Sequence, residues 1–229
     1  MYQVFECFKL IRRLIEKPKY TKLKVSNKVW LKLLCYINLV GDYEISGFGR
    51  IKNNEIIDFK ILRQTIGRAN AKCDEQAVVE FMKSVPINEI SEWELDWHSH
   101  VNFNPTPSGT DWGNYELMQE IRLGNQFPVM IVNKHQELTL INYLNKLKST
   151  PIELINTEEE VTEEELTVIY NNCKQDIEEL CSLEVVKLPN ITGYTNPSAK
   201  FFRDRFCINC GIELITKEEL ETGLCSNCM

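Results

Sequence analysis

Apolar side chains recur at helical spacing from Tyr2 to Lys17 (Val4, Phe5, Phe8, Ile11, Leu14 and Ile15), which predicts a helix ended by Pro18. Its other face mixes Glu6, Lys9, Arg12, Arg13 and Glu16. Such a helix docks on the main domain or engages a partner, and its mixed charge does not suit a membrane surface. A second helical pattern (Val29, Trp30, Leu33, Leu34, Ile37) follows Ser26 as its cap and stops before Gly41. The pattern then turns extended. Tyr43 to Ile51 and Glu55 to Leu62 read as two strands joined by the polar turn Lys52-Asn53-Asn54.

Asp74 opens a third helical stretch through Val78, Val79 and Met82, closed by Pro86. A strand through Leu95-Asp96-Trp97 leads into a loop from Asn102 to Thr110 that is rich in Asn, Pro, Ser and Gly. Beyond Asp111 a helix is expected on Tyr115, Leu117, Met118 and Ile121. Phe127 to Val132 and Glu137 to Tyr143 then form a hairpin turned at Asn133-Lys134, with His135 in the turn as a solvated residue. Thr162-Glu163-Glu164-Glu165 matches a capping box ahead of Leu166, Ile169, Cys173, Ile177 and Leu180. The order predicts an α/β protein divided into a main domain over residues 1–148, an acidic helical connector over 149–195 and a small module over 196–229.

Composition narrows the class. With 43% hydrophobic and 26% charged residues over 229 positions, the chain suits a globule with its own core. Nothing approaches the roughly 20 apolar residues of a membrane span, and no export signal is seen, so a reducing cytoplasm is the expected setting. Of the net charge of −7, the segment from Thr150 to Asn190 contributes −9, which leaves the rest slightly positive. That balance argues against strong attraction to nucleic acid, which needs concentrated positive charge.

The chemistry centres on Trp97-His98-Ser99-His100, which holds two of only three histidines. Alternate residues of a strand share a face, so both imidazoles can aim at one ion. Zinc commonly takes two histidines and a carboxylate and keeps a fourth position open, and Asp111 is the best third ligand. Hydrolysis there also needs a base and an oxyanion donor. Glu44 and Ser108 are the candidates, and Gly47 and Gly49 could let a substrate approach the backbone closely. Neither H-E-x-x-H nor the H-x-E and P-C-x-x-C pair of nucleobase deaminases occurs.

His98-Ser99-His100, seven residues, Ser108, two residues and Asp111, with Glu44 upstream, resembles the JAMM metalloenzyme pattern of the JAB or MPN domain family, in its prokaryotic or phage form. The resemblance covers about Ser26 to Leu144. It implies a cytidine-deaminase-like mixed sheet packed between helices and zinc-dependent hydrolysis of peptide or isopeptide bonds, with ubiquitin-like conjugates as the usual substrates. By position, His98, His100 and Asp111 would bind zinc, Glu44 would act as general base and Ser108 would stabilise the oxyanion. Val101 stands where many members have proline, and Pro105-Thr106-Pro107-Ser108 also resembles the RadC-like branch. A non-catalytic adaptor that binds protein or nucleic acid is the alternative.

Near the C-terminus Cys207, Cys210, Cys225 and Cys228 form C-x2-C-x14-C-x2-C, a four-thiolate pattern that resembles a zinc ribbon and predicts a second, structural zinc. Cys7, Cys35, Cys73, Cys173 and Cys181 read as buried thiols.

Overall fold

The computed structural model describes residues 18–184 apart from 146 and 148. The expected N-terminal helix and the four-cysteine module lie outside the described residues.

Strand β1 (Lys22–Ser26) runs straight into helix α1 (Asn27–Leu39), because Ser26 turns its hydroxyl onto the Val29 N–H at 3.3 Å and caps the helix. Strands β2 (Ser46–Lys52) and β3 (Glu55–Lys60) form the expected hairpin. Asn53 and Asn54 both take positive φ, 53° and 60°, as a type I′ turn requires. Short strands β4 (Gln64–Ile66) and β5 (Ala71–Cys73) precede α2 (Glu75–Ser84), which Asp74 caps through the Gln76 and Ala77 N–H groups.

Strand β6 (Leu95–Ser99) leads to α3 (Gly109–Ile121), and β7 (Phe127–Val132) pairs with β8 (Leu138–Tyr143). Strands β9 (Thr150–Pro151) and β10 (Glu153–Thr157), helix α4 (Glu163–Leu180) and strand β11 (Cys181–Leu183) complete the described chain. The main sheet has the mixed order β10-β1-β3-β2-β6-β7-β8-β9, and β11-β4-β5 form a smaller one.

Helices cover both faces of the sheet, as the strand alternation shows. On β7, Met130 and Val132 join the core cluster that contains α1 and Ile169 and Cys173 of α4, whereas Phe127 and Val129 pack with Tyr115 of α3. A strand covered on both sides reads as a continuous apolar run, and all six residues of β7 are buried. Trp97 of β6 is fully buried among Tyr36 and Phe59, with ring centroids at 6.3 and 5.9 Å. Cutting such a side chain to alanine costs about 3–5 kcal/mol.

Of the residues read as a connector, 149–184 are part of this architecture. Strand β10 pairs with β1 along its whole length, and α4 contributes Ile169 and Cys173 to the main core. The acidic face marked the helix as exposed on one side, but its apolar stripe closes on α1. The two glycines of β2 serve packing and not a substrate. A Cβ on Gly47 would come within 2.1 Å of the Lys60 carbonyl oxygen and 3.0 Å of Trp97, and one on Gly49 would meet Leu95 at 2.6 Å. Among the described residues no helix is long and apolar enough to cross a membrane.

Candidate metal centre

Three features of the chain converge at the C-terminal end of β6. Along β6 Leu95, Trp97 and Ser99 are buried, while Asp96 and His98 are less so and turn to the other face, toward α3. There the His98 ring lies 6.5 Å from that of Tyr115. His100 leaves the strand with its N–H on the Val132 carbonyl, at 3.0 Å. Asp111 arrives from α3, where it is the third residue of a capping box. The Ser108 hydroxyl accepts the Asp111 N–H at 3.2 Å, and the Asp111 carboxylate accepts the Ser108 N–H at 2.6 Å. The helix therefore begins before Asp111, and the cap itself aims the carboxylate.

The donor atoms are spaced as a single small cation needs. His98 Nε2 and His100 Nε2 are 3.1 Å apart, and Asp111 Oδ1 and Oδ2 lie 3.3 Å from His98 and His100 respectively. Tetrahedral zinc with ligand bonds near 2.0–2.2 Å sets its donors roughly 3.3–3.6 Å apart. The His100 ring donates its Nδ1–H to the Asn104 carbonyl at 3.0 Å, which leaves the Nε2 lone pair facing the other two groups. The three side chains remain 10–14% exposed, so the cluster opens to solvent on one side. The residues fit zinc.

Charge follows the same arrangement. The hydrogen bond to Asp111 raises the His100 pKa, against the opposing effect of burial. Burial pushes the Asp111 carboxyl up, but hydrogen bonds from His100 and His98 outweigh it and hold the group well below the usual carboxylate range.

Glu44 precedes β2, whose Ser46 pairs antiparallel with His98, and the Ile45 carbonyl accepts the Ser99 N–H at 2.9 Å, so Glu44 follows directly beyond the pairing that carries the histidines. Burial raises its pKa, and His100, His98 and Asp111 all act on its charge, so its carboxyl lies within electrostatic reach of the cluster. Ser108 is exposed, and a side-chain hydrogen bond from it to the Asp111 carboxylate helps to lower that group's pKa. Thus His98, His100, Asp111, Ser108 and Glu44 come together, while Cys207, Cys210, Cys225 and Cys228 lie outside the described residues. His135 is exposed in its turn.

Val101 holds φ at 41°, a conformation costly for a β-branched residue by about 1–3 kcal/mol. Proline, locked near −65°, cannot take it. The backbone at this position is therefore closed to proline, and the loop that follows carries the Asn104 carbonyl to His100.

Sequence reasoning passed over three contributors. Asp96 shares the face of His98 and feels the charges of His98 and Arg122, while burial raises its pKa. Period-two alternation back from His98 would have found it. The Tyr115 hydroxyl is buried without a hydrogen-bond partner in the described structure. The Asn104 carbonyl is backbone and has no residue-type signature.

No family model matches the chain, and no curated protein matches it. Among solved structures the chain is similar to protein DSY2949 from Desulfitobacterium hafniense, with a TM-score of 0.40 and 15% identity over 60% of this chain and 94% of that one. It is also similar to a structure described as a JAMM metalloprotease-like zinc site in the proteasome and signalosome. There the TM-score is 0.31 and the identity 16%, over 59% of this chain and 99% of that one.

Proposed function

We propose that the protein is a JAMM-type zinc hydrolase that cleaves a peptide or isopeptide bond of a protein substrate, with ubiquitin-like conjugates as the first class to test. The observation that carries this reading is the convergence of His98 Nε2, His100 Nε2 and the Asp111 carboxylate at mutual distances of 3.1–3.3 Å. Zinc held there supplies a Lewis acid and lowers the pKa of water to roughly 7.

The chain's own residues do the rest. Glu44, pushed up by burial, is suited to take a proton from the attacking water as its oxygen adds to the carbonyl carbon. It then returns that proton to the nitrogen as the C–N bond breaks. Ser108, exposed beside the Asp111 carboxylate, turns its O–H from that group to the oxyanion while its oxygen holds the Asp111 N–H. Cys207, Cys210, Cys225 and Cys228 close a second, structural zinc site.

The test is zinc per chain in the native protein and in His98→Ala, followed by turnover on ubiquitin-like conjugates and peptide libraries. Two zincs falling to one, with turnover lost in Glu44→Gln, is the expected result. Zinc-loaded protein inactive on every conjugate and peptide would overturn catalysis and leave the adaptor.

A further inference from the structure

Glu44 is only useful as a base if its backbone is fixed relative to the histidines, and the segment that carries it lies outside the regular ladder. Peptide groups of successive residues in an extended chain point to opposite sides. Ile45 faces β6, giving its N–H to the Ser99 hydroxyl at 3.0 Å and accepting the Ser99 N–H at 2.9 Å. Glu44 and Ser46 face the other way, where β3 does not reach, since its pairing with β2 ends at Phe48 and Lys60.

Gln64 of β4 fills that gap. Its side-chain Oε1 accepts the Ser46 N–H at 3.0 Å and the Ser46 hydroxyl at 3.4 Å, and its Nε2 donates to the Ser46 and Leu62 carbonyls at 2.9 and 3.1 Å. Both acceptor positions and both donors of the amide are used, which a 2% exposed side chain needs. The amide acts as a neighbouring strand would, closing both bonds to one residue. One turn further, the Glu44 N–H donates to the Gly67 carbonyl at 2.8 Å.

We propose that Gln64 is the positioning residue for Glu44, a side-chain substitute for a missing strand that holds the general base against the metal centre. Gln64 makes no hydrogen bond to the metal-binding side chains among those described and acts on Glu44 through Ser46. The proposal rests on the reading of Glu44 as the base, and its test separates the two.

The full chain is loaded with cobalt(II), and the His98→Ala difference spectrum isolates the bands of the His/His/Asp site from those of thiolate-bound cobalt. The midpoint of the pH-dependent change in those bands is compared among wild type, Glu44→Gln, Gln64→Met and Gln64→Glu. Amide exchange over residues 44–46 is measured on the same proteins. Gln64→Met is expected to bind cobalt within about threefold of wild type, to exchange faster at Ile45 and Ser46, and to shift the midpoint in the direction of Glu44→Gln. Gln64→Glu keeps the acceptor for Ser46 and should fall between.

If Glu44→Gln leaves the midpoint where wild type has it, the base assignment fails. If Glu44→Gln shifts it and Gln64→Met does not, the positioning role fails. Loss of cobalt binding in step with loss of folding would make Gln64 a plain structural residue and overturn the proposal. Should Gln64→Met not fold, a wild-type midpoint in Gln64→Glu overturns it equally.

Discussion

Helices α3 and α4 begin with the same device and end up in different trades. In α3 the hydroxyl of Ser108 and the carboxylate of Asp111 cap one another's backbone N–H groups; in α4 Thr162 and Glu165 do the same. The acid of α4 pairs with Lys28 at 3.0 Å on the surface, a hydrogen bond that lowers its pKa. The acid of α3 meets two imidazoles. A local motif is thus neutral as to function, and what long-range pairing sets beside it decides the outcome.

Removing each acid separates the two helices most sharply. Asp111→Ala should leave the protein with one zinc fewer, whereas Glu165→Ala should keep the native count; elemental analysis of both decides it. Equal counts in the two variants would mean that Asp111 is only a cap.

Losing the hydroxyl is expected to matter next most. Ser108→Ala should lower kcat by about 10²–10³-fold, the usual scale for an oxyanion donor. Steady-state kinetics on a cleaved conjugate would show it, and an unchanged kcat would return Ser108 to capping alone.

A subtler change keeps the cap and moves the ligand. Asp111→Glu retains the capping-box pattern but lengthens the side chain, so zinc affinity should drop at least about tenfold while stability stays within roughly 0.5 kcal/mol. Competition with a chelator and urea unfolding measure the two sides. Thr162→Ala, in contrast, should cost about 1 kcal/mol and leave zinc untouched.

The smallest effect is the pH dependence that the imidazole partner adds at the acid of α3. In metal-free protein the raised His100 pKa means that its stabilising contribution is complete below roughly 6.5 and is lost as pH rises through the folded value. The depressed Asp111 acts at the other end, contributing above roughly 3.9 and fading as pH falls toward its folded value. The metal-free Tm should therefore decline as pH rises past neutrality, while the gain on adding zinc grows, because the ligands must shed protons. A Tm gain independent of pH would contradict the ligand assignment.

The same contrast explains what was legible in the sequence. Caps at Ser26, Asp74 and Thr162, the Asn53-Asn54 turn and the β7–β8 hairpin are written in adjacent residues, and the structure has each of them. The His-Ser-His string and Ser108 to Asp111 are also close together and could be read as one constellation. Glu44 could be named as a candidate base, but no spacing tied it to the histidines, since its place depends on β2 pairing with β6. Strands β1 and β10 were not anticipated. They meet in register from Lys22 and Glu153 to Ser26 and Thr157, and no periodicity within either short stretch announces so distant a partner. Gln64 escaped for a related reason, because a buried amide that stands in for a strand looks in sequence like any polar residue.

The pairing of β1 with β10 has a further consequence for how the chain comes off the ribosome. Strand β1 can find β3 early, but its other edge waits for a partner synthesised roughly 130 residues later, and such distant contacts form slowly. Until then the nascent chain carries an open strand edge beside a nearly complete core, the kind of surface that templates association with other chains. Translation halted between Asp111 and Glu153 would leave that edge permanently bare, so such truncated products should aggregate or be degraded although every residue of the metal centre is already present.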